Sequence, residues 1–189
     1  GLLLSVDNQD FSVLGIVSNA VREMSEGELL QLAKARRLDI TEEVYFEIIR
    51  QKTASLISSC CAVGARSAGA ADELVDKMKQ FGEKVGLAFQ IKDDLFDFGD
   101  AEVGKPLGID IKEKKMTLPL IHALSQTSWS KKRHIINLIK NHSDKPQKVA
   151  EVIRFVRESG GIQYATQAME KLVGEAKAIL HSFPESTYR

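Results

Sequence analysis

Apolar residues recur at helical spacing along almost the whole chain, and no stretch shows the strict apolar–polar alternation of a half-buried strand. From Phe11 to Leu38, the residues Val13, Leu14, Val17, Val21, Met24, Leu29, Leu32 and Ala35 keep that spacing. The breaks fall where helix ends are chemically easy. Asp39-Ile-Thr41 predicts a turn with Thr41 as N-cap and Glu42-Glu43 in the first helical turn. A helix is then expected from about Glu42 to about Gly69, and another from Asp72, as N-cap, to about Phe98. Gly99 to Lys115 holds three glycines, a proline, four acids and four lysines beyond its last break, and reads as a polar loop. Pro119 suits the first turn of the next helix. Ser128 or Ser130, Ser143 to Pro146, and Gly160-Gly161 open three more, ending near His181. The fold class is all-α, in keeping with 6% aromatic residues.

Composition narrows the function. The 189 residues carry Lys+Arg 26 against Asp+Glu 26, so no global field draws the chain to nucleic acid or an anionic membrane. Charge-based chemistry has to come from local clusters. The two cysteines, Cys60 and Cys61, are neighbours whose disulfide would be strained, and read as small buried hydrophobes in a reduced compartment. The four histidines stand apart and form no zinc pattern. Apolar runs are too short for a membrane span of about 20 residues. Gly1-Leu2-Leu3-Leu4 opens without methionine and reads as a broken-off helix, so 189 residues are expected to be part of something longer.

Three local groups carry chemistry. The first is Phe89-Gln90-Ile91-Lys92-Asp93-Asp94-Leu95-Phe96-Asp97. On a helix, Asp93, Asp94 and Asp97 fall within an arc of about 100°, and Gln90 lies about 60° from Asp93. Carboxylates brought to ~4 Å repel by roughly 4 kcal/mol at an effective dielectric of 20. A divalent cation would remove that repulsion, and oxygen-only ligands suit a hard ion such as Mg²⁺, which bridges carboxylates to phosphates. A solvated acidic face is the plainer reading. Against it, Gly82, Gly86, Phe89 and Phe96 share the face and are not solvent-face residues.

The second group is Lys52-Thr53, on a stripe with Tyr45, Ile48, Ile49, Leu56, Ser59 and Val63. Lys52 either snorkels to water or lines an anion-holding cavity beside the Thr53 hydroxyl. The third is Gly104-Lys105-Pro-Leu-Gly108-Ile-Asp110-Ile-Lys112-Glu-Lys114-Lys115. Directly after an acidic helix, such a loop suits a lid that closes lysines over phosphate oxygens.

Together these blocks resemble the C-terminal part of the trans-type polyprenyl diphosphate synthase family. Phe89-Gln90-x-x-Asp93-Asp94-x-x-Asp97 resembles the family's second aspartate-rich motif, and Gly104-Lys105-x-x-Gly108-x-Asp110 the lysine loop after it. Thr117-Leu-Pro-Leu-Ile121 with Ala123-Leu124, Lys52-Thr53-Ala54, and Glu26-Gly27-Glu28-Leu-Leu-Gln31 complete the order. The family commonly has glycine where Lys114 stands. The chain holds no second Asp-Asp-x-x-Asp, and no Arg-Arg pair follows an acidic motif before Lys52.

The resemblance implies antiparallel helices around a central cavity, as one helical domain over 1–189 with the N-terminal helices missing. It implies a Mg²⁺-dependent prenyltransferase that condenses an allylic prenyl diphosphate with isopentenyl diphosphate, cytoplasmic, homodimeric, and weakly active or inactive as this chain alone. Asp93, Asp94 and Asp97 would hold Mg²⁺. Lys52, Thr53, Gln90 and Lys105 would contact the allylic diphosphate, with Lys115 assisting. The alternative is a non-catalytic helical subunit, or a truncated partner, of a heteromeric prenyl synthase.

Overall fold

The computed structural model describes residues 2–35, 38–99 and 107–187. Among them every regular element is a helix and none is a strand. In chain order these are α1 (Leu2–Asp7), α2 (Phe11–Ala35), α3 (Glu42–Ile49), a π-turn (Arg50–Ala54), α4 (Ser55–Ser67), α5 (Asp72–Phe96), α6 (Ile109–Lys112), α7 (Leu118–Ser125), α8 (Trp129–His142), α9 (Pro146–Glu158) and α10 (Gly161–His181).

The helix starts follow local chemistry. Thr41 Oγ1 accepts the Val44 N–H at 3.4 Å, and the Ser128 hydroxyl accepts from Lys131. Pro119 and Pro146 sit in the first turns of α7 and α9, where a missing N–H costs nothing. Asp72 differs from its expected role as cap. It is the first residue of α5, and the Ala71 carbonyl begins the ladder by accepting from Leu74 and Val75. Its charge still favours a helix N-terminus.

The helix expected over Glu42 to Gly69 is broken by the π-turn at Arg50–Ala54. An i→i+5 turn takes in an extra residue, so the helix faces on its two sides are rotated relative to one another. The apolar stripe read through Lys52 is therefore not continuous. Tyr45, Ile48 and Ile49 are buried before it, whereas Leu56 is exposed after it and the buried positions of α4 are Ser55, Ser58, Ser59 and Ala62. The segment read as loop up to Lys115 contains a further short helix, α6.

The residues pack as two compact units. The first comprises Gly1–Leu30, Glu47–Gln90 and Glu170–Arg189. Its helices approach closely at glycines. A Cβ on Gly27 would lie 2.8 Å from the Lys52 backbone nitrogen, and one on Gly86 would lie 2.6 Å from Ala54 Cα. Real side chains do not make such contacts, so these two glycines let α2 and α5 lie directly against the π-turn. The Ser58 hydroxyl donates to the Lys79 carbonyl at 2.7 Å, and Lys84 pairs with Glu175 at 2.6 Å. Phe11, Val21, Leu29 and Phe89 remain exposed.

The second unit comprises Gln31–Phe46 and Ile91–Met169. Ile91, Phe98, Ile111, Leu118, Ile135 and Val152 form its fully buried core. Helices α6, α7 and α8 each pack on α9. Gly108 sits at φ +74°, and a side chain there would collide with Val149 of α9. The Tyr164 hydroxyl donates to Glu42 at 2.6 Å while its ring stacks on His122 at 3.8 Å. That hydrogen bond, helped by burial, pushes the Tyr164 hydroxyl up to about 12.

Candidate active site

Asp93 and Asp94 at the end of α5, and Asp97 in the turn just past it, lie in the second unit and occupy three different environments. Asp93 is exposed, whereas Asp94 and Asp97 are only 5% and 8% exposed. Buried carboxylates need donors, and each of these has its own. Asp94 accepts the Tyr45 hydroxyl at 2.7 Å. Asp97 accepts the backbone N–H of Ile109 at 2.7 Å and of Asp110 at 3.2 Å, while its own carbonyl accepts the Gly108 N–H at 3.2 Å. The left-handed turn at Gly108 thus points the first N–H groups of α6 at Asp97.

Electrostatics follow from this packing. Burial, then the Asp110 charge, raises the Asp97 carboxyl above the usual range, against the pull of the three backbone N–H groups of Asp110, Ile109 and Ile111. Burial, then the charge and hydrogen bond of Asp94, holds the Tyr45 hydroxyl well above the ordinary phenol range, so it stays protonated and remains a donor. At the end of α5, Arg157 donates from Nε and Nη2 to the Phe98 carbonyl at 3.1 and 2.8 Å and from Nη2 to the Gly99 carbonyl at 2.6 Å. A cation at a helix C-terminus satisfies carbonyls that have no partner within the helix.

A cleft of about 230 Å³ opens beside these residues, lined by Asp93, Phe96, Asp97, Ile109, Asp110, Glu113 and Lys115. The structure therefore brings Asp93 and Asp97 together on one cleft with Lys115, and turns Asp94 to Tyr45 instead. Lys115 pairs with Glu113 at 2.6 Å and Asp110 at 3.2 Å. Burial works to lower its ammonium, but its bonds to Glu113 and Asp110 outweigh that and raise it. The donor set is carboxylate oxygen, which suits a hard divalent cation. Among the described residues no three acidic, histidine or cysteine groups enclose an ion by themselves. Such a set fits a cation that keeps several waters and takes the rest of its ligands from phosphate.

Lys52, Thr53 and Gln90 lie in the first unit. Lys52 and Thr53 sit in the π-turn, a distortion found often at functional sites. The Lys52 ammonium pairs with Glu28 at 2.5 Å, with side chains 40% and 48% exposed. The Thr53 hydroxyl donates to Gln90 Oε1 at 2.9 Å, tying the turn to α5. Arg50 bridges Glu47 at 2.9 Å and Glu23 at 3.3 Å. Lys105 lies outside the described residues, with Gly104 and Pro106 of its loop.

Some sequence expectations give way here. Phe89 is 59% exposed and does not share a buried face with the acids. Cys60 is exposed rather than buried. Lys114, where the resemblance leads one to expect glycine, adopts φ +58°, the left-handed conformation that glycine favours. Sequence spacing does not mark Tyr45, Glu28 or Arg157 as site residues. Glu28 lay within a recognised block, but its pairing with Lys52 spans two elements. Tyr45 and Arg157 reach partners 49 and 59 residues away, and no spacing rule carries that information.

The chain belongs to the polyprenyl synthetase family, whose sequence profile matches residues 2–156. It is 35% identical over 178 residues to a short chain isoprenyl diphosphate synthase of Methanothermobacter thermautotrophicus, covering 93% of this chain and 54% of that protein. It is 33% identical over 179 residues to octaprenyl diphosphate synthase of Escherichia coli, covering 94% and 55%. Among solved structures it superposes with a TM-score of 0.89 on geranylgeranyl pyrophosphate synthase from Bacteroides thetaiotaomicron, at 36% identity, covering 98% of this chain and 62% of that one. The chain spans about half the length of the curated relatives it matches.

Proposed function

We propose that this chain supplies the second aspartate-rich motif and the diphosphate-binding lysine of a trans-prenyltransferase, which joins isopentenyl diphosphate to an allylic prenyl diphosphate. The observation that carries the reading is the acidic cleft. Asp93 and Asp97 line it, with Lys115 beside them, in a chain of the polyprenyl synthetase family. Asp93, Asp94 and Asp97 are the residues that would hold Mg²⁺, and Lys52, Thr53, Gln90 and Lys105 those that would bind the allylic diphosphate, with Lys115 assisting. Mg²⁺, when bound, would neutralise the charge that builds on the departing diphosphate.

The chain's own groups would act by position. Lys52 and the Thr53 hydroxyl would donate to diphosphate oxygens as the C–O bond to the allylic carbon breaks and the electron pair leaves with diphosphate. The double bond of isopentenyl diphosphate then attacks the allylic carbon, and loss of a proton restores a double bond in a product five carbons longer. Two substrates held in line make this step effectively unimolecular. The enzyme is read as a cytoplasmic homodimer; among the described residues no helix is long and apolar enough to cross a membrane. A second reading, a subunit that works beside a different chain, is favoured by one relative. Heptaprenyl diphosphate synthase component 2 of Geobacillus stearothermophilus is 31% identical over 176 residues.

Labelled isopentenyl diphosphate and farnesyl diphosphate, incubated with the chain and Mg²⁺, test the proposal. The incubation is run with and without a polypeptide carrying another Asp-Asp-x-x-Asp motif. Elongated product in either arm supports the enzyme. Product from the chain without the added polypeptide counts against the two-component reading. Absence of product in both arms, with both pieces folded, sinks the first.

A further inference from the structure

Asp94 is the odd member of its motif. Its neighbours Asp93 and Asp97 line the acidic cleft, whereas Asp94 is buried and turned to the Tyr45 hydroxyl at 2.7 Å. Tyr45 is itself only 4% exposed. Both partners are thus removed from water, and they meet across 49 residues of sequence. A buried carboxylate is costly without a donor, and a buried hydroxyl is costly without an acceptor. The pair therefore fixes its own geometry. Tyr45 belongs to α3, whose neighbours Ile48 and Ile49 are also buried, so its ring has little room to move. Asp94 shares the last turn of α5 with Asp93, and its carbonyl accepts the Asp97 N–H at 3.3 Å in the turn that follows. Holding Asp94 on Tyr45 sets the rotation of α5 about its axis. At about 100° per residue, that rotation decides which face of α5 meets the cleft.

We propose that Tyr45 is a positioning residue of the acidic site. It acts through Asp94 to hold the three aspartates toward a divalent cation and the diphosphate that would share it. The proposal rests on the metal–diphosphate reading above and goes beyond it by assigning a role to a residue outside the motif. Partners that orient metal-binding carboxylates typically change metal affinity 10–100-fold when removed.

The test measures binding of Mn²⁺, by electron paramagnetic resonance, in the presence of inorganic diphosphate. The chain, Asp93→Asn, Asp94→Asn, Tyr45→Phe and the Tyr45→Phe/Asp94→Asn double variant are compared. Tyr45→Phe is expected to weaken Mn²⁺ binding about 10–100-fold. The double variant should bind no more weakly than Asp94→Asn alone, because the hydroxyl acts only through that carboxylate. Wild-type affinity in Tyr45→Phe, or losses that add in the double variant, overturns the proposal. Undiminished binding in Asp93→Asn instead sinks the metal reading on which it rests, and the proposal with it. Should Tyr45→Phe fail to fold cooperatively, the unsubstituted chain decides. With ¹³C-labelled tyrosine, the Tyr45 Cζ resonance must shift with Mg²⁺ and inorganic diphosphate at the midpoint of binding. A resonance unmoved at saturation overturns the assignment.

Discussion

The lysine-bearing π-turn and the aspartate-bearing end of α5 are held by opposite means. At the π-turn, the charges are partly in water. Lys52 meets Glu28 with both side chains at least 40% exposed, and what fixes the backbone is the close approach allowed by Gly27 and Gly86. At the acidic end, backbone approach matters less and buried hydrogen bonds do the fixing: Tyr45 on Asp94, and the start of α6 on Asp97. The difference follows from side-chain length. A lysine carries its charge at the end of a four-carbon stem and reaches water from a half-buried position. An aspartate has no such reach, so its carboxylate must find donors where the backbone leaves it.

The sharpest way to break this contrast is at the aspartates themselves. Asp93→Ala should abolish Mg²⁺-dependent binding of diphosphate in calorimetry yet leave stability within about 0.5 kcal/mol, since Asp93 is exposed. Asp97→Ala should lose the same binding and also cost about 1–3 kcal/mol, because the N–H groups of Ile109 and Asp110 lose their acceptor. Equal stability of the two variants in urea titrations would mean that the buried bonds hold little.

The glycine contacts come next. Gly86→Ala places a Cβ 2.6 Å from Ala54 Cα and should cost about 1–3 kcal/mol, with loss of the Thr53–Gln90 hydrogen bond. Gly64→Ala in α4, with nothing within 4 Å of the new Cβ, should instead stabilise by about 0.4–1 kcal/mol. Similar melting temperatures for the two would remove the case for close packing at the π-turn.

Smaller effects test the exposed charges. Lys114→Gly relieves a left-handed backbone that costs about 1–2 kcal/mol, against a glycine entropy cost of about 0.5–1 kcal/mol, so a net gain of at most about 1.5 kcal/mol is expected in thermal unfolding. Glu28→Gln should change stability by less than about 1 kcal/mol, as for other exposed ion pairs, even though it removes the partner of Lys52. A loss well above that would show the pair to be structural and make the two regions alike.

Much of this architecture was legible in the sequence. Thr41, Ser128, Pro119 and Pro146 mark helix starts because caps and first-turn prolines act on their own turn. The aspartates stood out because three acids on one helical arc violate the ordinary preference of a half-apolar helix. The π-turn at Arg50–Ala54 was not legible, because its residues suit an α-helix equally well and the distortion coincides with tertiary approach at Gly27 and Gly86. The same holds for Lys114, whose left-handed backbone no local pattern in the chain announces.

Periodicity and end chemistry, both local along the chain, determined by themselves that this protein is helical and where its acids and lysines lie. Tertiary structure alone decided that Asp94 turns to Tyr45 while Asp93 and Asp97 face the cleft, and that Glu28 meets Lys52. A hydrogen bond across 49 residues depends on the path of the chain between its partners. That path is chosen by the burial of many side chains at once, and no short stretch of sequence records it.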